Sequence, residues 1–129
     1  MNLIDTHSHI YSSEFDNDRA AMLQRAEREG IIKILMPAID KTTHNQMLDL
    51  ENENPGVCLS MMGVHPCSIK EDYQYELKTA RQYLEKRKFV AIGETGLDFY
   101  WDKTFTRQQY IAFHEQVEWA LHFDIPVVI

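Results

Sequence analysis

Two histidines one residue apart are the first residues in this chain that could do chemistry: Asp5-Thr6-His7-Ser8-His9 follows directly on a short apolar start. On an extended strand, residues i and i+2 project to the same side, so His7 and His9 can turn both imidazoles to one point. Two neutral imidazoles at that spacing are good ligands for a divalent transition ion. Asp5 shares their parity and is placed to orient a histidine through its other ring nitrogen. Taken alone, a His-x-His pair also fits two surface histidines after an edge strand. Two further segments add weight to the metal reading. Gly63-Val64-His65-Pro66 puts a third histidine behind an apolar run, where Gly63 allows close backbone approach and Pro66 fixes the turn. Ala91-Ile92-Gly93-Glu94-Thr95-Gly96-Leu97-Asp98 puts a carboxylate behind another such run. A glutamate there is rare unless it is paired or coordinates a metal, and Gly93 and Gly96 are expected to leave room for ions and substrate. No Ser-His-Asp or Cys-His pattern competes with this set, so metal-assisted hydrolysis is the chemistry these residues support.

The elements that must position them alternate. Apolar runs at 2–7, 31–38, 57–64 and 89–94 read as strands, and 126–129 begins a fifth. The run at 31–38, broken only by Lys33, suits a strand buried on both faces. Helical patterns lie between them, at 19–29 (Ala20, Leu23 and Ala26 on one face, Gly30 as the stop), 42–53 and 73–86 (Tyr73, Leu77, Ala80, Leu84). The last helix opens at Thr106, with Gln109 at capping-box spacing and Tyr110, Phe113, Val117, Ala120 and Leu121 at helical intervals. Strand and helix in alternation, without hairpin signals, predict right-handed βαβ units and a parallel sheet. In an α/β barrel the C-terminal strand ends share one face, which would gather His7, His9, His65 and Glu94.

Length and charge bound the rest. The chain has 129 residues, which suits one domain, 1–129, and its 44% apolar content is enough for a packed core. A formal charge of −7 argues against a broad basic surface for coating nucleic acid. It leaves open a small site where bound cations meet phosphate. Cys58 and Cys67 are expected to be reduced thiols, and the start shows no signal-peptide or membrane pattern, so the expected location is cytoplasmic. The ending in Val127-Val128-Ile129, inside an apolar β pattern, reads as a truncation point.

Taken together, Asp5-Thr6-His7-Ser8-His9, Gly63-Val64-His65-Pro66 and Gly93-Glu94-Thr95-Gly96-Leu97-Asp98-Phe99-Tyr100 resemble the TatD family of metal-dependent hydrolases. Gln108, Phe113, Gln116, Ala120 and the run Ile125–Ile129 resemble that family's fourth helix and fifth strand. The resemblance implies a (β/α)8 TIM barrel, of which this chain holds about four βα units and the start of strand five. It implies that His7 and His9 ligate one divalent ion, and that Glu94, the catalytic carboxylate, ligates it too and bridges to a second. His65 would face the substrate phosphate, and Asp98 and Tyr100 would shape the pocket. Further metal ligands are expected beyond Ile129. The implied activity is a deoxyribonuclease trimming single-stranded DNA from the 3′ end with two divalent ions, magnesium, manganese or zinc.

Phe99-Tyr100-Trp101 could stack on an unpaired base or pack on the fourth helix, and Lys103 and Arg107 could touch a phosphate. Alternative readings are an amidohydrolase-type enzyme acting on an amide or ester, and a phosphatase of the histidinol-phosphate type. A third is a half barrel that is inert or needs a complementary half.

Overall fold

The structure, a computed structural model, describes residues 1–129. Strands β1 (Leu3–Asp5), β2 (Ile31–Met36) and β3 (Cys58–Ser60) form a parallel sheet in the order β1-β2-β3. Parallel bridges then link Met62 to Ile92 and Ile92 to Val127, extending the same sequence to a fourth and a fifth strand position. Helices α1 (Arg19–Arg28), α2 (His44–Glu53), α3 (Tyr73–Lys86) and α4 (Thr106–Phe123) occupy the crossovers. This is the run of consecutive βα units from which a TIM-type barrel is built.

Three expectations need correction. The strands are shorter than the apolar runs: the first ends at Asp5, so His7 and His9 lie in the loop beyond it, and the fourth forms no regular ladder, only isolated bridges at Ile92. The second strand is not buried on both faces. Ile34 and Met36 are buried, whereas Ile31, Lys33 and Leu35 are only half-buried, because the helices of this chain cover one side of the sheet. On α4 the buried stripe runs through Gln109, Ala112, Gln116, Trp119 and Ala120, while Tyr110 and Leu121 face solvent. Apolar type alone misplaced that stripe, because two of its members are amides that bond buried backbone.

The core lies between sheet and helices, where Met36, Met47, Cys58, Met62, Ala80 and Ile92 are fully enclosed. Burying a methionine or isoleucine there contributes about 1.5–3 kcal/mol. Leu77, Ala80 and Leu84 bring α3 to it, as the spacing predicts. Gly30 adopts a positive φ of 86° and stops α1, as expected of a glycine just past a helix end.

His44 is the exception among these apolar groups. It is 1% exposed, its ring meets Tyr83 edge-on at 5.4 Å, and neither ring nitrogen makes a hydrogen bond. Burial lowers its pKa, and the nearby Gly63 carbonyl and the Glu76 and Asp40 carboxylates oppose that shift without cancelling it. The unfolded chain therefore binds a proton below about pH 6.5 that the folded chain resists. Stability from this source is complete above that pH and is lost as pH falls toward the lower folded value. His44→Phe, which keeps the ring packing, should flatten the decline of the urea midpoint between pH about 7.5 and 5.5. An unchanged slope would assign the acid sensitivity to other groups.

Candidate metal centre

The site is assembled on the end of β2 and the segment that follows it. Five consecutive carbonyls, Leu35 to Ile39, each accept a hydrogen bond from a different part of it. Leu35 O takes the amide of Ser8 at 3.1 Å, Met36 O that of Met61 at 2.8 Å, and Pro37 O the Tyr11 hydroxyl at 2.6 Å. Ala38 O takes the amide of Glu94 at 3.2 Å, and Ile39 O that of His65 at 2.8 Å. The amide of Ala38 returns a bond of 2.9 Å to Gly93 O. The loop carrying His7 and His9 is thus tied to the same rail as His65 and Glu94.

The side chains converge. His7 Nε2 lies 3.0 Å from Glu94 Oε2, His9 Nε2 lies 3.3 Å from the same oxygen, and His65 Nε2 lies 3.3 Å from Glu94 Oε1. The carboxylate is 20% exposed and meets no lysine or arginine. One ligand atom each from His7, His9 and Glu94 lie within 4.8 Å of one another. Three imidazole nitrogens crowded around one carboxylate, without a lysine or arginine to neutralise it, suit a divalent cation. Burial lowers the pKa of His9, Glu94 raises it, and His7 and His65 lower it further.

Two supporting roles differ from expectation. Asp5 bonds the backbone amide of His7 at 3.1 Å rather than an imidazole, and the partner of His9 Nδ1 is the hydroxyl of Tyr11 at 3.0 Å. Gly93 and Gly96 do not hold space for ions. A Cβ at Gly93 would stand 2.9 Å from that of Val128, and one at Gly96 would meet Ile129 at 3.1 Å, so both serve the approach of the fifth strand. Gly63 does what its type suggested, since a Cβ there would be 3.0 Å from the carbonyl of Gly93.

Asp98 follows the glutamate but turns away from the histidines. Its Oδ1 accepts the Tyr100 amide at 2.9 Å and its Oδ2 accepts the Cys67 thiol at 3.3 Å; these bonds, the backbone one first, lower its pKa. Cys58 and Cys67 are both free thiols, and burial raises the pKa of each. Phe99 packs near Tyr110 on α4 at 5.9 Å, while Tyr100 and Trp101 meet edge-on at 4.7 Å and are 82% and 80% exposed. Of the two readings for this aromatic run, Phe99 takes the packing one and its neighbours stay open to solvent. Lys103 and Arg107 are also exposed.

Two glutamines of α4 hold the site loops. Gln116, 1% exposed, accepts the Val64 amide at 2.8 Å and donates to Val64 O at 3.2 Å, bracing the residue before His65. Gln109 accepts the Asp98 amide at 2.8 Å and donates to Asp98 O at 2.9 Å, which replaces the capping box expected at the helix start. A glutamine inside an otherwise apolar helical stripe was the only sequence signal for this.

The model of the TatD-related DNases matches residues 4–129. The chain is 38% identical over 130 residues to the uncharacterized metal-dependent hydrolase YjjV of Escherichia coli K12, covering 98% of this chain and 49% of that protein. It is 32% identical over 127 residues to the 3′-5′ ssDNA/RNA exonuclease TatD of Erwinia tasmaniensis, with the same coverage. The crystal structure of the E. coli TatD homologue YjjV superposes with a TM-score of 0.86 at 35% identity, over 97% of this chain and 49% of that one. A TatD-family hydrolase of Entamoeba histolytica, 23% identical over 98% of this chain and 48% of that one, shares the fold with a TM-score of 0.75. The chain spans about half the length of the relatives it matches.

Replacing Gln116 by leucine strands the buried amide and carbonyl of Val64. The expected cost is about 1–3 kcal/mol of stability in a urea titration. A loss below the error of that titration would mean the clamp is not needed.

Proposed function

Because the chain belongs to the family of TatD-related DNases, we propose that it carries part of the active centre of a divalent-metal phosphodiesterase that trims single-stranded DNA from the 3′ end. Residues 1–129 would form a single domain supplying the first half of the barrel. The observation that carries this reading is the meeting of His7, His9 and His65 on the two oxygens of Glu94. The printed name of the Erwinia relative, an exonuclease acting on single-stranded DNA and RNA, supports the substrate class.

In this reading His7, His9 and Glu94 would hold a divalent ion, with Glu94 shared with a second; magnesium, manganese or zinc would suit them. Bound there, divalent ions would make a water nucleophilic near neutral pH and offset charge on the attacking and leaving oxygens. His65, on the other side of the carboxylate, would orient the phosphate. Asp98 would shape the pocket through its bond to the Tyr100 amide, since its oxygens already have partners. Tyr100 and Trp101 would offer their exposed rings to an unpaired base. A chain of charge −7 without an arginine cluster at the site would leave most neutralisation of the phosphate to the ions.

The deciding assay follows an end-labelled single-stranded oligonucleotide with magnesium or manganese. Shortening from the 3′ end is expected, with complete loss on adding a chelator and in Glu94→Ala. Trimming that persists in that variant, or no binding of manganese or zinc by the folded chain, would overturn the reading. Trp101→Ala should weaken oligonucleotide binding by about 1–3 kcal/mol while leaving metal affinity unchanged. Unaltered binding would remove the ring from the substrate path.

A further inference from the structure

His9 and His65 both place Nε2 at 3.3 Å from an oxygen of Glu94, yet their Nδ1 atoms have opposite kinds of partner. His65 Nδ1 faces the backbone amide of Cys67 at 3.0 Å. An amide can only donate, so Nδ1 accepts, and the neutral ring carries its proton on Nε2. His65 therefore carries its proton on the Nε2 side of the ring, 3.3 Å from Glu94 Oε1.

His9 Nδ1 faces the hydroxyl of Tyr11 at 3.0 Å, and a hydroxyl can donate or accept. The second contact of that hydroxyl removes the choice. Tyr11 is 2% exposed, and its oxygen lies 2.6 Å from the carbonyl of Pro37, which can only accept. The single phenolic proton must point to Pro37, or two acceptor oxygens would face each other at that distance. His9 must then donate from Nδ1 into the phenol oxygen. The Nε2 of the neutral ring is left with a free lone pair 3.3 Å from a carboxylate oxygen, an arrangement that a cation bound between them would satisfy.

We propose that Tyr11 is a positioning residue that fixes the tautomer of His9, so that the two flanking histidines are sorted in advance, His9 as ligand and His65 as proton donor. The proposal rests on the metal-centre reading above, and it assigns Tyr11 a part in that centre. No bonded group holds the Nδ1 of His7, so of the two histidines facing Oε2 only His9 has its tautomer fixed by the fold. The Pro37 carbonyl belongs to the same rail that accepts the amide of Glu94 one residue later, so ligand orientation and carboxylate position share one reference.

The test reads ring nitrogens directly, in the metal-free chain labelled with 15N-histidine at pH about 8, where imidazoles are neutral. His9 should show a protonated Nδ1 and a pyridine-like Nε2, and His65 the reverse. In Tyr11→Phe the Nε2–H form of His9 should appear while His65 keeps its pattern, and affinity for manganese or zinc should fall about 10–100-fold. A native His9 protonated on Nε2 overturns the proposal, and that measurement does not depend on whether the variant folds. A folded Tyr11→Phe chain with unchanged His9 nitrogens and unchanged metal affinity overturns it equally. Failure to trim DNA would instead count against the phosphodiesterase reading, because tautomers are measured without metal or nucleic acid.

Discussion

The centre depends on five backbone carbonyls in a row. Residues 35–39 run from the last two residues of the second strand into the segment beyond its regular pairing, and each carbonyl accepts a bond from a segment that carries or braces a site residue. Each such bond contributes only about 0.5–1.5 kcal/mol net, but leaving a buried partner unmade costs about 1–3 kcal/mol. That asymmetry pins the loops. His7, His9, His65 and Glu94 come from three separate stretches of sequence, and their mutual distances follow from sharing one rail. Pro37 suits the middle of it: the residue has no amide to satisfy and a fixed φ, so only its carbonyl needs a partner.

Close packing sets the second constraint. Glycine at 63 and 93 lets the third, fourth and fifth strand positions draw together just below the histidines, where a single added carbon would meet backbone or Val128 within about 3 Å. Gln116 and Gln109 then brace the loops from the helix side. These amides are buried in α4 because they satisfy backbone groups that the sheet leaves open at its upper end, where regular pairing stops. An apolar residue of equal size would pack there but would leave those groups unpaired.

The convergence of His7, His9, His65 and Glu94 was legible in the sequence because histidine pairs and a glutamate framed by glycines have few packing explanations. The order of elements was legible too, since period and punctuation agree over most of the chain; the third helix was read at its observed bounds. What stayed hidden involves partners distant in sequence. Asp5 looked like the orienting group for a histidine because it shares parity with His7 and His9, but the first strand ends at Asp5 and the backbone then turns. Tyr11 gave no signal, since its role depends on a carbonyl 26 residues away. The buried stripe of α4 was misread because apolar type was used where hydrogen-bonding demand decides. The glycines after the fourth strand were assigned to ligand space, when the neighbouring strand is what they admit.

These features leave the cluster of His7, His9, His65 and Glu94 organised by the fold itself. In water, two histidines and a carboxylate would turn freely, and binding an ion would have to order them. Here the loop of His7 and His9 is tied through Ser8 and Tyr11, the glutamate through Ala38, and the third histidine through Ile39 and Gln116. All of these ties lie within residues 1–129, so the geometry of this donor set is fixed by the chain itself. Exposure of the four side chains, between 20% and 39%, leaves the cluster open on the side where substrate and further ligands would approach. Tied below and open above is the arrangement the proposed metal centre would need, because an ion would have to keep positions free for water and phosphate while its protein ligands stayed in place.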